Sequence, residues 1–402
     1  MALNGEERVR PVGMSLPVAG AVVGVLTLSG CSLGQLDVHA GAVTRASTAS
    51  ITLTPASSAP IAPTSPLVVT AVSGRLTGVV VTGPGGAVPG SLSVDGHTWT
   101  ASAGILDYGA AYKVAAHAVD RSGLPTDLSQ VIRTIAPSKF LAYTVSPRDG
   151  GTVGIGMPIR VTLDHKLASD QAKAAFEKAA TVTVDGDRVT GGWRWMTDDV
   201  AVYRPETYWP GHATITLTTS LKGVTFTKGL WGKGTTTTSF QTGAAMVSFV
   251  DMVSDTLTVT EDGTKIRTIP ITTGKPGFET RSGVKVIMDK ELTRIMDAST
   301  GGTLKTDPEY YRLEVKYAMR LTYSGEFLHA APWSVAHQGH SNVSHGCTGM
   351  STSNAAWLYT HSSIGDVVVY SGNSRTMESG NGITVWNSSW TTWKKYSKAS
   401  SV

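Results

Sequence analysis

Cys347 closes the run Ser344-His345-Gly346-Cys347. A thiolate rather than a thiol attacks a carbonyl carbon, so a working cysteine needs a base within reach and an electropositive, partly exposed setting. Two histidines qualify as that base. His345 shares a face with Cys347 if the segment is extended, and His329 lies upstream, at the end of the apolar strand pattern Leu321 to Leu328. Two strand ends brought together by the fold would set His329 and Cys347 side by side. Gly346 lets the backbone approach a substrate closely, and the N–H groups of this turn point to a place for a developing oxyanion. His329, His337, His340, His345 and Cys347 would also suit zinc, but their spacing matches no common zinc signature. The reading is therefore a catalytic thiol with no metal and no cofactor. No Walker A loop, G-x-S-x-G elbow or G-x-G-x-x-G turn competes with it.

The chain of 402 residues has two cysteines, so the other matters too. Cys31 ends Leu28-Ser29-Gly30-Cys31, after a charged segment with Arg8 and Arg10 and an apolar run from Val12 to Leu28. That is the pattern of an export signal, too short and too rich in Pro and Gly for a spanning helix. Its ending resembles the bacterial lipobox, which makes Cys31 a lipidation site and 1–31 a lipoprotein signal peptide. The expected location is the cell membrane, lipid-anchored, facing the periplasm or cell wall. Residues 32–66 turn to Ala, Ser, Thr and Pro and read as a solvated tether.

The stretch from residue 67 to the C-terminus is too long for one ordinary domain. With Gly 44 and Pro 18 and many Thr and Val, the chain reads as mainly β, with short strands between turns. One β-sandwich is expected over 67–137 and a second over 138–244, the latter carrying one helix from Ser169 to Ala180. Trp193, Trp195, Tyr208 and Trp209 could touch sugar, but packing against the sandwich core or the next domain is the preferred reading. A third domain spans 245–370, with a hairpin of Asp251–Thr260 and Thr264–Thr272 about Glu261-Asp262-Gly263. The tail, 371–402, carries Trp386, Trp390 and Trp393 at helical spacing and is expected to dock its indoles onto the third domain. A net charge of +4 without a clustered basic patch argues against nucleic acid as a partner.

The stretch from His329-Ala330-Ala331-Pro332-Trp333 through Ser344-His345-Gly346-Cys347 resembles the catalytic segment of the L,D-transpeptidases, the YkuD family. The whole plan resembles the actinobacterial, especially mycobacterial, lipoprotein-type members: two immunoglobulin-like domains, a YkuD-type β-sandwich with short helices, and a Trp-rich tail. The resemblance implies Cys347 as nucleophile and His329 as general base, with the Ala330 carbonyl orienting the ring. His345 and Gly346 would shape the oxyanion site with backbone donors. Tyr311 and Met296 match the donor pocket and lid, and Trp333 and Ser344 its wall. Gly349 stands where the family has Asn; a positive φ there would let Asn be restored without strain. The implied substrates are peptidoglycan tetrapeptide stems, donor and acceptor, joined 3→3 with loss of D-Ala, and the implied inhibitors are carbapenems. An L,D-carboxypeptidase using the same thioester, or a wall-binding envelope scaffold with a weak thiol site, is the alternative.

Overall fold

Alternation of apolar and polar residues builds the first sandwich. In Ala111–Asp120 the side chains of Tyr112, Val114, Ala116 and Ala118 are buried while their neighbours face outward, the period of a half-buried strand. The computed structural model describes residues 45–399, apart from residues 57 and 105, and from Ser47 onward the chain forms one compact unit. The expected signal segment, Cys31 included, lies outside the described residues. One sheet of the first sandwich holds Ser50–Thr54, Val68–Val72, Thr98–Ala101 and Gly90–Leu92; the other holds Gly86–Ala87, Gly74–Gly83, Ala111–Asp120 and Pro125–Arg133.

The tether expected to reach residue 66 stops short of it. Ser50–Thr54 pairs antiparallel with Val68–Val72, Leu53 is buried, and Ile61 bridges Thr134. Ile51 and Leu53 alternate with Ser and Thr, so the strand signal was present but hidden by a polar composition.

The second sandwich closes around Ile159, Val161, Phe176, Trp193, Trp209, Ile215 and Phe240. Its helix, Asp170–Ala179, starts where Ser169 accepts the amide of Ala172 and carries Asp170 in its first turn, both favourable at a helix N-terminus. Trp193 and Trp209 are core residues, Trp195 donates to Glu177, and Tyr208 packs edge-on against Trp386. The packing reading of these aromatics is the one the structure shows.

The third domain has two sheets. A five-stranded sheet runs Thr264–Pro270, Thr256–Glu261, Met246–Asp251, Val367–Ser371, Gly283–Val286. A four-stranded sheet runs Asp289–Asp297, Arg312–Arg320, Phe327–Ala330, Thr348–Met350. The helix Thr352–His361 covers the second sheet, and Leu257, Ile269, Met319, Leu328, Met350, Leu358 and Val368 fill the core. The hairpin turns at Asp262 and Gly263, φ 49° and 81°, the paired positive values of a type I′ turn. Its first strand starts at Thr256 rather than Asp251, because the Asp251 carboxylate accepts the Val253 amide at 2.9 Å and folds the chain into a turn.

The second and third domains meet at close backbone contact. Gly154 and Gly156 donate to the carbonyls of Ile364 and Gly365 at 2.8 and 2.9 Å, and a Cβ on Gly154 would lie 2.1 Å from the Asp366 amide. The tail seats its indoles on the second sandwich rather than on the third domain. Trp386 donates to the Gly156 carbonyl at 2.7 Å and Trp393 to that of Gly192 at 2.8 Å. The guanidinium of buried Arg204 lies 5.0, 5.4 and 4.9 Å from the rings of Trp386, Trp390 and Trp393. A cation buried among indoles gains from their π faces. The tail is tied to the third domain through Asn387, which pairs with both backbone groups of Val284, and through Glu378 and Asn381, which bond Arg281 and Ser324. The indoles sit on two short helices, Val385–Asn387 and Trp390–Lys394, because Ser389 caps a new helix instead of continuing the old one. Trp393 is fully buried. Trp393→Ala is expected to cost about 3–5 kcal/mol, read as a lower urea midpoint at unchanged slope; a loss under about 1 kcal/mol would mean the tail is not part of the folded core.

Candidate active site

The strands Phe327–Ala330 and Thr348–Met350 lie parallel, pairing Leu328 with Thr348, His329 with Gly349 and Ala330 with Met350. Leu328 and Ala330 point into the core, so strand alternation turns His329 to the opposite side. That side is a cavity of ≈ 350 Å³ shared by His329 and Cys347, with Met296, Tyr311, Trp333 and Ser344 around them. The side chain of Ala330 is sealed in the core and does not line this cavity; its neighbour Ala331 does. What Ala330 supplies is its carbonyl, 2.8 Å from His329 Nδ1. A carbonyl only accepts, so Nδ1 carries the proton and Nε2 is left basic. The Trp333 ring, mostly exposed, lies 6.1 Å from the imidazole at 30°.

Cys347 is half-buried, and its thiol donates to the Gly325 carbonyl at 3.4 Å. Burial pushes the thiol up to about 12, with Glu326 adding to the rise and the Phe327 amide, Lys285 and Arg320 opposing it. Burial also pulls His329 below the ordinary imidazole value of 6.5, against the pull of the Ala330 carbonyl. The electropositive, thiolate-favouring setting expected of a reactive cysteine is therefore not the resting state. Desolvation disfavours both charged forms, and the pair rests as neutral thiol and neutral imidazole. An attack by this sulfur would require the thiol to leave Gly325 and give up its proton, for which His329 Nε2 in the same cavity is the base at hand.

The nucleophile turn is held from two sides. Ser344 Oγ donates to the Cys347 carbonyl at 2.6 Å and accepts the Gly346 amide at 3.1 Å. Gly346, at φ 116°, gives its carbonyl to Thr280 Oγ1 at 2.8 Å. Its amide is thus already engaged, which removes Gly346 as an oxyanion donor and leaves the amides of His345 and Cys347 for that task. Gly346 itself opens onto a second cavity on the other side of the turn.

Several residues of the site are not legible from motif reading. The Glu309 carboxylate, from the loop joining Asp289–Asp297 to Arg312–Arg320, receives His345 Nε2 and Lys275 Nζ, both at 2.6 Å. His345 lies 4.8 Å from the ring of Phe278 and 4.9 Å from that of Tyr311. This loop bears Tyr311, which lines the cavity, so His345 ties the loop to the nucleophile turn as well as shaping the turn. Behind Cys347, wholly buried Lys285 pairs with Glu326 at 2.6 Å, and Arg281 pairs with the other carboxylate oxygen at 2.9 Å. A Lys between Val284 and Val286, and a Glu inside the apolar run Leu321 to Leu328, were the available signals. His337 bonds Ser341 at 3.1 Å, and among the described residues no cluster of His, Cys, Asp or Glu is arranged to hold a metal.

Gly349 departs from expectation. It is an extended residue of Thr348–Met350, not a positive-φ turn, and it exchanges backbone hydrogen bonds with Thr272, both at 2.9 Å. A Cβ there would sit 2.9 Å from Ala331 Cβ and 3.2 Å from Thr272 Cγ2. Gly349→Asn would force apart the strand that carries the nucleophile. It is expected to destabilise by about 1–3 kcal/mol and to slow alkylation of Cys347; an equally stable, faster variant would show that the strand yields freely.

The pH dependence comes from the two neutral groups. His329 is lowered, so its base form persists until the pH falls below 6.5. Cys347 is raised, so no thiolate forms near neutrality. The rate of thioester formation should stay level across neutral pH and fall only on its acid side, below 6.5; an acid limb centred above that value would contradict the assignment.

Known proteins share both the fold and the site segment. Residues 58–225 match a bacterial Ig domain and residues 246–369 an L,D-transpeptidase catalytic domain. L,D-transpeptidase 2 of Mycobacterium tuberculosis (strain CDC 1551 / Oshkosh) is 33% identical over 331 residues, 82% of this chain and 80% of its own length. L,D-transpeptidase 5 of Mycobacterium tuberculosis (strain ATCC 25618 / H37Rv) is 31% identical over 353 residues, covering 85% of this chain and 76% of its own. Among solved structures, the LD transpeptidase LdtMt1 in complex with imipenem superposes with a TM-score of 0.50 at 33% identity, over 58% of this chain and all (100%) of that one.

Proposed function

The chain belongs to the L,D-transpeptidase family, and on that premise we propose that Cys347 and His329 carry out acyl transfer between peptidoglycan tetrapeptide stems. The observation that carries the assignment of roles is the shared cavity in which a proton-locked His329 faces Cys347. His329 Nε2 takes the thiol proton as the sulfur attacks the carbonyl of the third residue, a meso-diaminopimelate joined through its L-centre. The amides of His345 and Cys347 receive the oxyanion. The same proton goes to the leaving nitrogen, D-Ala departs, and a thioester remains. The side-chain amine of a neighbouring stem then attacks the thioester, loses its proton to His329, and forms the 3→3 link as the thiol is regenerated. General-base assistance of this kind contributes about 10²- to 10⁴-fold. The reaction as written needs no metal or organic cofactor.

Carbapenems are proposed to acylate the same sulfur. For placement, Cys31 is proposed as the lipid-bearing residue that holds the domains on the outer face of a membrane; a single acyl chain anchors only marginally, so two or more are expected. Among the described residues no helix is long and apolar enough to cross a membrane.

The test is intact-protein mass spectrometry after mixing with a disaccharide-tetrapeptide, followed by product analysis. The expected result is a thioester on Cys347, D-Ala in solution and a 3→3 dimer, all lost in Cys347→Ala. D-Ala release with tripeptide and no dimer would mean that water is the acceptor and the protein is a carboxypeptidase. No adduct with folded protein would reject the assignment.

A further inference from the structure

The cavity holding His329 is not the one that carries most of the charge near the site. The second cavity, ≈ 450 Å³, meets the first at the wall formed by Met296, Tyr311 and His345 and opens past Gly325, Glu326 and Gly346. Four guanidinium groups line it, those of Arg281, Arg294, Arg320 and Arg375. They differ in what neutralises them. Arg281 is ion-paired with Glu326 and Glu378, and Arg294 with Glu291. Arg375 is exposed and donates to the Glu279 carbonyl at 2.8 Å.

Arg320 differs from Arg375, which also has no ion pair among the described residues, in being sheltered from solvent. It is half-buried, its Nη1 donates to the Thr322 carbonyl at 3.1 Å, and its guanidinium lies 4.5 Å from the centre of the Phe327 ring. Among the described residues it forms no ion pair. A like charge is near, since Arg294 lies 4.9 Å from the same ring, while Asp289 on the neighbouring strand and Glu291 act on it from beyond ion-pair distance. Burial, and then Arg294, hold the Arg320 guanidinium below the usual arginine range. Two guanidinium groups on one aromatic ring repel each other, Asp289 and Glu291 offset this only in part, and an incoming anion would relieve the remainder. The planar fork of arginine suits a carboxylate, which it binds with two parallel hydrogen bonds.

The placement relative to the sulfur narrows the choice of anion. Arg320 pairs in register with Phe327, and Phe327 follows the Gly325-Glu326 segment whose Gly325 carbonyl holds the Cys347 thiol at 3.4 Å. Release of a C-terminal residue always leaves a carboxylate on the carbon bonded to the departing nitrogen. A group in the adjoining cavity that binds this carboxylate would set the scissile carbonyl against Cys347 across the shared wall. A stem one residue longer would carry its carboxylate one residue too far.

We propose that Arg320, with Arg294 beside it, is a specificity-determining carboxylate site that receives the terminal carboxylate of the residue released from the donor stem. This rests on the reading that the enzyme forms a thioester with loss of a C-terminal residue. The diaminopimelate carboxylate offers the same chemistry, so the test must separate the two.

The experiment compares two donors that keep the diaminopimelate carboxylate and differ only at the end, a tetrapeptide ending in D-Ala and the same peptide ending in D-alaninamide. Release of D-Ala or D-alaninamide gives kcat/KM for each. The parent is expected to favour the free acid by about 10- to 100-fold, the range of a charge-assisted hydrogen-bonded pair. In Arg320→Gln the ratio of the two kcat/KM values should collapse to near unity, and in Arg320→Lys, which keeps the charge without the fork, it should be intermediate. Iodoacetamide alkylation of Cys347 and the Tm check that each variant retains a folded site; if the Gln variant does not fold, the Lys variant carries the comparison. A parent that turns over both donors equally, or variants that keep the parent's ratio, would overturn the carboxylate site while leaving the transpeptidase reading intact. A parent that turns over neither donor would instead reject that reading.

Discussion

The site depends on the parallel pairing of Phe327–Ala330 with Thr348–Met350. This short ladder joins segments distant in sequence, and strand alternation then decides which side chains face the cavity and which the core. Leu328, Ala330 and Met350 are held in the core with Leu257, Ile269 and Leu358, so a slip of one residue would turn His329 into the apolar core and its apolar neighbours into the cavity. The apolar core thereby fixes the position of a polar catalytic residue. Gly349 is part of the same constraint. Its bareness lets Ala331 and Thr272 close on the strand, and Thr272 continues the hydrogen bonding on its far side.

Electrostatics at the site originate in burial. Desolvation keeps thiol and imidazole neutral, while Lys285, Glu326 and Arg281 form a charged cluster behind the nucleophile. Such a cluster contributes little net stability, yet removing one member leaves an uncompensated charge worth about 3–5 kcal/mol. Its geometric effect is to fix Glu326, and with it the Gly325 carbonyl on which the thiol rests. On the opposite side the Glu309 carboxylate binds His345 and Lys275 and fastens its loop to the nucleophile turn. The sulfur thus sits between a buried charged backing and a loop tied down by the half-buried Glu309 carboxylate.

Much of this was legible in the sequence, for identifiable reasons. Short-range chemistry read well: the helix beginning at Ser169, the Asp262-Gly263 turn and the Ser344–Cys347 turn are each specified within a few residues. The polar first strand of the molecule, Ser50–Thr54, was hidden because Ser and Thr serve tether and half-exposed strand alike. The seat of the tail was hidden because indole spacing predicts a face but not the partner. That partner is Arg204, a charge whose burial among three rings no local pattern announces. Gly349 was misread for a similar reason: glycine serves both positive φ and close packing, and only the position of Ala331 distinguishes them. Glu309, Lys285, Glu326 and Arg320 matter through contacts between strands and loops, which one sequence does not reveal.

The proposed chemistry turns on Cys347 resting as a neutral thiol that His329 activates only as it attacks. The ultraviolet absorbance of the thiolate reads this directly, titrated from acid to alkaline pH in a Cys31→Ser background where Cys347 is the single thiol. No thiolate signal is expected at neutral pH, with ionisation displaced far to the alkaline side. His329→Ala is expected to leave this titration in place while slowing acylation. A thiolate already present at neutral pH, and lost together with His329, would show a preformed ion pair and contradict the neutral resting state.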